Sequence, residues 1–173
     1  SGFMGLMLLQ GLVHSFAQEI VAIDVAASRL ALAKDIGIEE TFNVSDIGTD
    51  DLLAQPKPRD IDIVVDPTGS QAGLDLSTDL VKRGGRINLF GWLKGKQATF
   101  EPTQWHLGGY TIVNSSPSAQ IRDPFPPAIR LMERAIIDLQ PLVTHVVDLD
   151  EYPTLMRDIL AGDPGYVKGV IRM

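Results

Sequence analysis

From Phe3 to Phe16 nearly every position is apolar or small, while Gln10, His14 and Gln18 recur at i, i+4 and i+8. That spacing predicts a helix buried on most sides with one narrow polar stripe. The run Ile20-Val21-Ala22-Ile23-Asp24 reads as a short strand covered on both faces and ending in an acid. Ser28 is placed to cap a second helix through Lys34, which Gly37 ends. Further strands are expected over 41–44 and 60–66, the second followed by the breakers Pro67 and Gly69. A helix over 70–81, the turn Gly84-Gly85 and a strand over 86–90 complete this stretch.

Helices alternating with short apolar strands through brief connections are the signature of a doubly wound α/β fold with a parallel sheet. Tyr110-Thr111-Ile112-Val113-Asn114 is one more strand, and the proline-rich Asp123–Pro127 starts a helix running to about Leu139. The rhythm then changes to a strand over 143–149, a helix over 152–160 ended by Gly162, and a strand over 167–171. The expected organisation is an α/β domain over 1–125, followed by a linking helix and a segment of different rhythm over 126–173.

Composition narrows the function classes. The 173 residues suit about one domain, and with 45% hydrophobic and 21% charged residues they can bury a core. Fifteen Lys and Arg against 22 Asp and Glu leave a net charge of −7, which disfavours nucleic acid and anionic membrane as partners. The apolar run from Phe3 to Val13 is about half a membrane span and lacks a basic flank. With no cysteine there is no disulfide framework, zinc ribbon or thiol nucleophile, which fits a reducing, cytoplasmic compartment. The buried-looking start at Ser1 leads to the expectation of further residues upstream.

Ser1-Gly2-Phe3-Met4-Gly5 matches the last five positions of Gly-x-Gly-x-x-Gly, with the first glycine one residue before Ser1. In that motif the glycines let backbone approach a pyrophosphate and let helix pack on strand, and the helix N-terminus offers N–H groups to the anion. By itself the fragment equally describes a helix start with small residues for packing. Asp24, 19 residues after Gly5 at the end of the second strand, has the spacing of the acid that takes the adenosine ribose diol. Such a carboxylate accepts from both hydroxyls and repels a 2′-phosphate, favouring NAD over NADP; the alternative is a cap or a solvated strand end. Arg29 either flanks the adenosine or is an ordinary helix-face charge. His14, His106 and His145 lack metal-ligand spacing, and no nucleophile elbow, Walker loop or Tyr-x-x-x-Lys pair is present. Asp62 and Asp66 share a strand face by parity and read as structural acids rather than a catalytic dyad. No catalytic residue and no metal ligand is assigned.

Taken together, Gly2-Phe3-Met4-Gly5-Leu6, Asp24 with Arg29-Leu30 and Ala33-Lys34, Val65-Asp66-Pro67-Thr68-Gly69, Gly84-Gly85-Arg86-Ile87 into Phe90-Gly91, and Leu142-Val143-Thr144-His145 span almost the whole chain. In that order they resemble the carboxyl-terminal half of a medium-chain dehydrogenase/reductase of the zinc-type alcohol and polyol dehydrogenase kind. The resemblance implies a Rossmann-type domain whose first strand lies before Ser1. It also implies that backbone at Phe3 and Met4 meets the pyrophosphate, that Asp24 meets the ribose, and that Thr68 and Gly69 line the cofactor cleft. Phe90, Gly91 and Trp92 match the loop that holds the nicotinamide carboxamide, and Asn114 or Ser115 the far side of that pocket. Lys168 matches a basic position that faces the pyrophosphate in some members; a solvated loop lysine is the other reading.

By the same resemblance, zinc ligands, proton relay and most of the substrate pocket lie upstream, so the chain alone is expected to be inactive. The terminal strand-helix-strand returns to the catalytic domain, and a homodimer or homotetramer pairs through Tyr110–Asn114. The function expected is the cofactor-binding part of an NAD-dependent dehydrogenase acting on a small alcohol or polyol. Two rivals are a zinc-free quinone or enone reductase of the same superfamily, against which Asp24 argues, and a non-catalytic dinucleotide-binding module.

Overall fold

The structure, a computed structural model, describes residues 2–55, 60–91, 97–115 and 123–173. Helices and parallel strands alternate as expected, giving an α/β fold, and the chain divides into two compact units. One unit holds the residues up to Ser45 together with Pro127–Met173; the other holds Asp46–Pro126.

In the first unit α1 (Phe3–Val13) leads to β1 (Val21–Asp24), α2 (Ala27–Asp35) and β2 (Glu40–Asn43), and β1 pairs parallel with β2. Leu6 and Leu9 of α1, Ala22 of β1, Leu30 and Ala33 of α2 and Ile38 form one buried cluster. Leu142 and Val167, from the carboxyl-terminal segment, complete the same cluster. Each fully buried leucine there stabilises the fold by roughly 1.5–3 kcal/mol. Two expectations are corrected. The first helix stops at Val13 rather than Phe16, and Gln10 is buried instead of lying on a wet stripe. Its amide is satisfied at both ends, donating to the Asp138 carbonyl at 2.8 Å and accepting from the Asp138 N–H at 2.5 Å, so burial costs it no hydrogen bond. Ser28 does not cap α2: the N-cap is Ala26, and the Ser28 hydroxyl donates to the carbonyl of Pro164.

The second unit contains the short α4 (Thr49–Ala54), β3 (Ile61–Asp66), α5 (Gln71–Leu80), β4 (Val81–Leu89), α6 (Pro102–Gly108) and β5 (Thr111–Asn114). The one-turn α3 (Val44–Ile47) carries the chain into it. Its sheet is parallel in the order β3-β4-β5, with Val64 opposite Ile87 and Ile87 opposite Ile112. β4 begins at Val81, five residues before the expected Arg86, because a register shift opposite Ile61–Ile63 accommodates Gly84 at φ 73° within the strand. Ser70 caps α5 by accepting from the Gly73 N–H at 3.0 Å. Exposed Asp62 pairs with Lys82, whose ammonium holds the Asp62 carboxyl below the usual carboxylate range.

The amphipathic α7 (Phe125–Glu133) ends six residues before Leu139. The chain then forms β6 (His145–Asp148), α8 (Tyr152–Leu160) and β7 (Gly169–Arg172), all in the first unit. β6 and β7 pair parallel, and Arg172 grips the Asp148 carboxylate with contacts of 2.8 and 3.2 Å. Among the described residues no helix is long and apolar enough to cross a membrane.

Candidate functional site

In the first unit the helix α1 opens directly on the glycine turn. Gly2 is its N-cap in extended conformation, with φ −63° and ψ −170°, and no side chain caps the helix. The first turn also carries no acidic residue, so its N–H groups and the positive end of the helix dipole are left for an anion. A Cβ on Gly2 would meet nothing within 4 Å, so the space before the turn is open. Phe3 is half-buried, Met4 is exposed and Gly5 is buried, the last as close helix packing requires. Lys168 brings a cation to this turn: its Nζ stands 5.2 Å from the centroid of the Phe3 ring.

At the carboxyl end of β1, Asp24 is 7% exposed. Its Oδ1 accepts from the Ala26 N–H at 2.9 Å and lies 3.7 Å from the Arg29 guanidinium. The acid is therefore fixed in direction by an Asx turn and a cation, and Arg29 is its partner rather than a detached helix-face charge.

In the second unit Thr68, Gly69, Phe90 and Gly91 are brought together by Asp66. This buried acid accepts at one carboxylate oxygen from the Thr68 N–H at 2.8 Å and the Thr68 hydroxyl at 2.6 Å. Its carbonyl accepts from the N–H groups of Phe90 at 3.0 Å and Gly91 at 2.7 Å. Gly69 sits in the left-handed region at φ 59°, and a Cβ on Gly91 would collide with the Gly69 nitrogen. The loops after β3 and β4 thus form one closely fitted floor. Asn114 ends β5 with its side chain exposed, while the Ser115 hydroxyl donates to Asn88 Oδ1 at 2.9 Å. Trp92 lies outside the described residues. Asp66 is the organising residue that the sequence reading left as a structural acid. Its signal is the Asp-Pro-Thr spacing, which puts a hydroxyl and an N–H two residues after a strand-end carboxylate.

Among the described residues no group of three or more His, Cys, Asp or Glu is placed to hold a metal, and the chain has no cysteine. The donor set of a catalytic zinc is not met by these residues.

The sequence pattern of the zinc-binding dehydrogenases matches residues 4–134. D-arabinitol dehydrogenase 1 of Uromyces fabae is 30% identical over 159 residues, which cover 88% of this chain and 44% of that protein. A solved short chain alcohol dehydrogenase from E. coli CFT073, complexed with NADH, superposes on 99% of this chain and 50% of its own with a TM-score of 0.85 at 19% identity. A solved Sinorhizobium meliloti 1021 chain bound to NADP covers the same 99% and 50% with a TM-score of 0.82 at 23% identity. The chain spans about half the length of the relatives it matches. The chain therefore belongs to the zinc-binding dehydrogenase family, the zinc-type medium-chain dehydrogenases, and corresponds to their carboxyl-terminal half.

Proposed function

We propose that this chain is the cofactor-binding part of an NAD-preferring dehydrogenase of a small alcohol or polyol. When bound, the dinucleotide supplies a hydride acceptor or donor at the nicotinamide. The residues of the chain bind and orient it. Backbone N–H groups of Phe3 and Met4, reached over Gly2 and backed by Gly5, take the pyrophosphate, with Lys168 adding positive charge. Asp24 takes the adenosine ribose, and Arg29 holds that carboxylate. In the second unit Thr68, Gly69, Phe90, Gly91 and Asn114 are read as the residues that meet the nicotinamide. Zinc ligands and the proton relay belong, in this reading, to the part of the family's length that the chain does not span, so the chain alone turns over no substrate. Residues 126–173 are read as the linking helix and the closing segment of the catalytic domain. The similarity to D-arabinitol dehydrogenase 1 supports the polyol class.

The observation that carries the reading is Asp24, a buried and oriented carboxylate at the end of the strand that follows the glycine-turn helix. A fixed acid there rewards a ribose diol and penalises a 2′-phosphate. Titration of NAD and NADP into the protein and its Asp24→Asn variant tests it. NAD should bind more tightly than NADP in the wild type, and the substitution should weaken NAD about tenfold while NADP gains. Equal affinities in the wild type, or an unchanged preference in the variant, would sink the NAD assignment.

A further inference from the structure

We propose that His145 and Asp163 are positioning residues for the dinucleotide pyrophosphate, acting through Lys168; the inference rests on the cofactor reading above. The segment from Asp163 to Lys168 has no regular structure, and a lysine at its end would sweep a wide volume unless its backbone were held. Here it is held from both sides. The Lys168 carbonyl accepts from the N–H groups of Thr144 at 3.0 Å and His145 at 3.2 Å. Thr144 Oγ1 in turn accepts from the N–H of Val167 at 3.0 Å and of Lys168 at 3.3 Å.

The His145 ring bridges this anchor to the start of the loop. Its Nδ1 lies 2.9 Å from Thr144 Oγ1, and its Nε2 lies 3.1 Å from Asp163 Oδ2. With Nε2–H donating to Asp163, Nδ1 accepts the Thr144 hydroxyl proton, which turns the Oγ1 lone pairs toward Val167 and Lys168. Asp163 Oδ1 accepts from the Gly165 N–H at 2.8 Å, and the Tyr166 ring packs 5.5 Å from the imidazole. The Pro164 carbonyl is fastened to α2 by the Ser28 hydroxyl. The clasp leaves the Lys168 ammonium over Phe3, the first residue of the uncapped helix. Two positive ends then converge where the proposed pyrophosphate lies, and His145 and Asp163 set that convergence without touching the ligand.

The test is calorimetric titration of ADP-ribose, which carries the pyrophosphate but no nicotinamide, at several salt concentrations, using the protein with any flanking sequence it naturally carries. Lys168→Ala should weaken binding about tenfold and flatten its salt dependence, because one phosphate-facing charge is lost. His145→Ala and Asp163→Asn should each weaken it about threefold to fivefold with the same flattening. His145→Gln, which keeps a donor toward Asp163, should restore most of the affinity. The double variant H145A/K168A should bind no more weakly than K168A. Unchanged affinity and salt slope in H145A and D163N, at an unchanged melting temperature, would overturn the clasp, as would full additivity in the double variant. If the folded wild type binds no ADP-ribose, the cofactor reading itself fails and the clasp falls with it.

Discussion

A Cβ on Gly91 would stand 2.7 Å from the carbonyl carbons of Pro67 and Thr68, and those are backbone atoms that no rotamer change can move. The Gly91 N–H meanwhile donates to the Asp66 carbonyl at 2.7 Å, so the two loops are pinned together as well as pressed together. Gly91→Ala must push them apart, at a cost of about 1–3 kcal/mol. A thermal melt should show the loss, and an unchanged melting temperature would mean that the loops separate without cost. The same neighbourhood shows why residue roles are hard to read from alternation alone. Asp62 and Asp66 share parity on β3, yet Asp62 is exposed and ion-paired with Lys82 while Asp66 is buried and organises the loop. Parity names a face; which end of that face is covered depends on loops far along the chain.

At the scale of elements, what decided legibility was a strong local signal rather than length. β1, β3, α5 and β5 fall within one or two residues of their expected bounds, because β-branched runs and a serine cap are local signals. α4 and α6, of six and seven residues, carry too few turns to show a helical period. Nor could the carboxyl-terminal segment's packing be read from its own pattern. Leu142 is fully buried in the cluster with Leu6 and Leu30, more than a hundred residues earlier in the chain. Leu142→Ala should therefore destabilise the first unit by about 2–5 kcal/mol. Denaturant unfolding followed by circular dichroism would measure it, and a loss below about 1 kcal/mol would show that the segment is not integral to that core.

For the molecule as a whole, the arrangement of strands carries the consequences. β5 pairs with β4 along one edge and is the last strand of its sheet among the described residues. Val113 on it is 40% exposed, and an edge of this kind invites pairing with another strand. We infer that a second copy of the chain pairs there. Val113→Asp should convert the inferred dimer to monomer in analytical ultracentrifugation while leaving the far-UV circular dichroism unchanged, since the side chain is exposed in one copy. A wild type already monomeric at tens of micromolar would remove this proposal.

The sequence by itself determined the α/β class, the order of the main elements, the glycine turn with its following acid, and membership in the dehydrogenase lineage. All of these reside in local patterns: periodicity, β-branched runs, and glycines at positions where backbone must turn or approach closely. Only the tertiary structure decided that Gln10 is buried and paired with Asp138, that Asp66 binds two loops together, and that the segment from Leu142 to Val167 shares a core with α1 and α2. It alone brought Lys168 over Phe3. Each of these joins residues from different elements or from opposite ends of the chain, and burial, hydrogen-bond satisfaction and charge placement between such residues arise when the elements pack, not from any stretch of sequence alone.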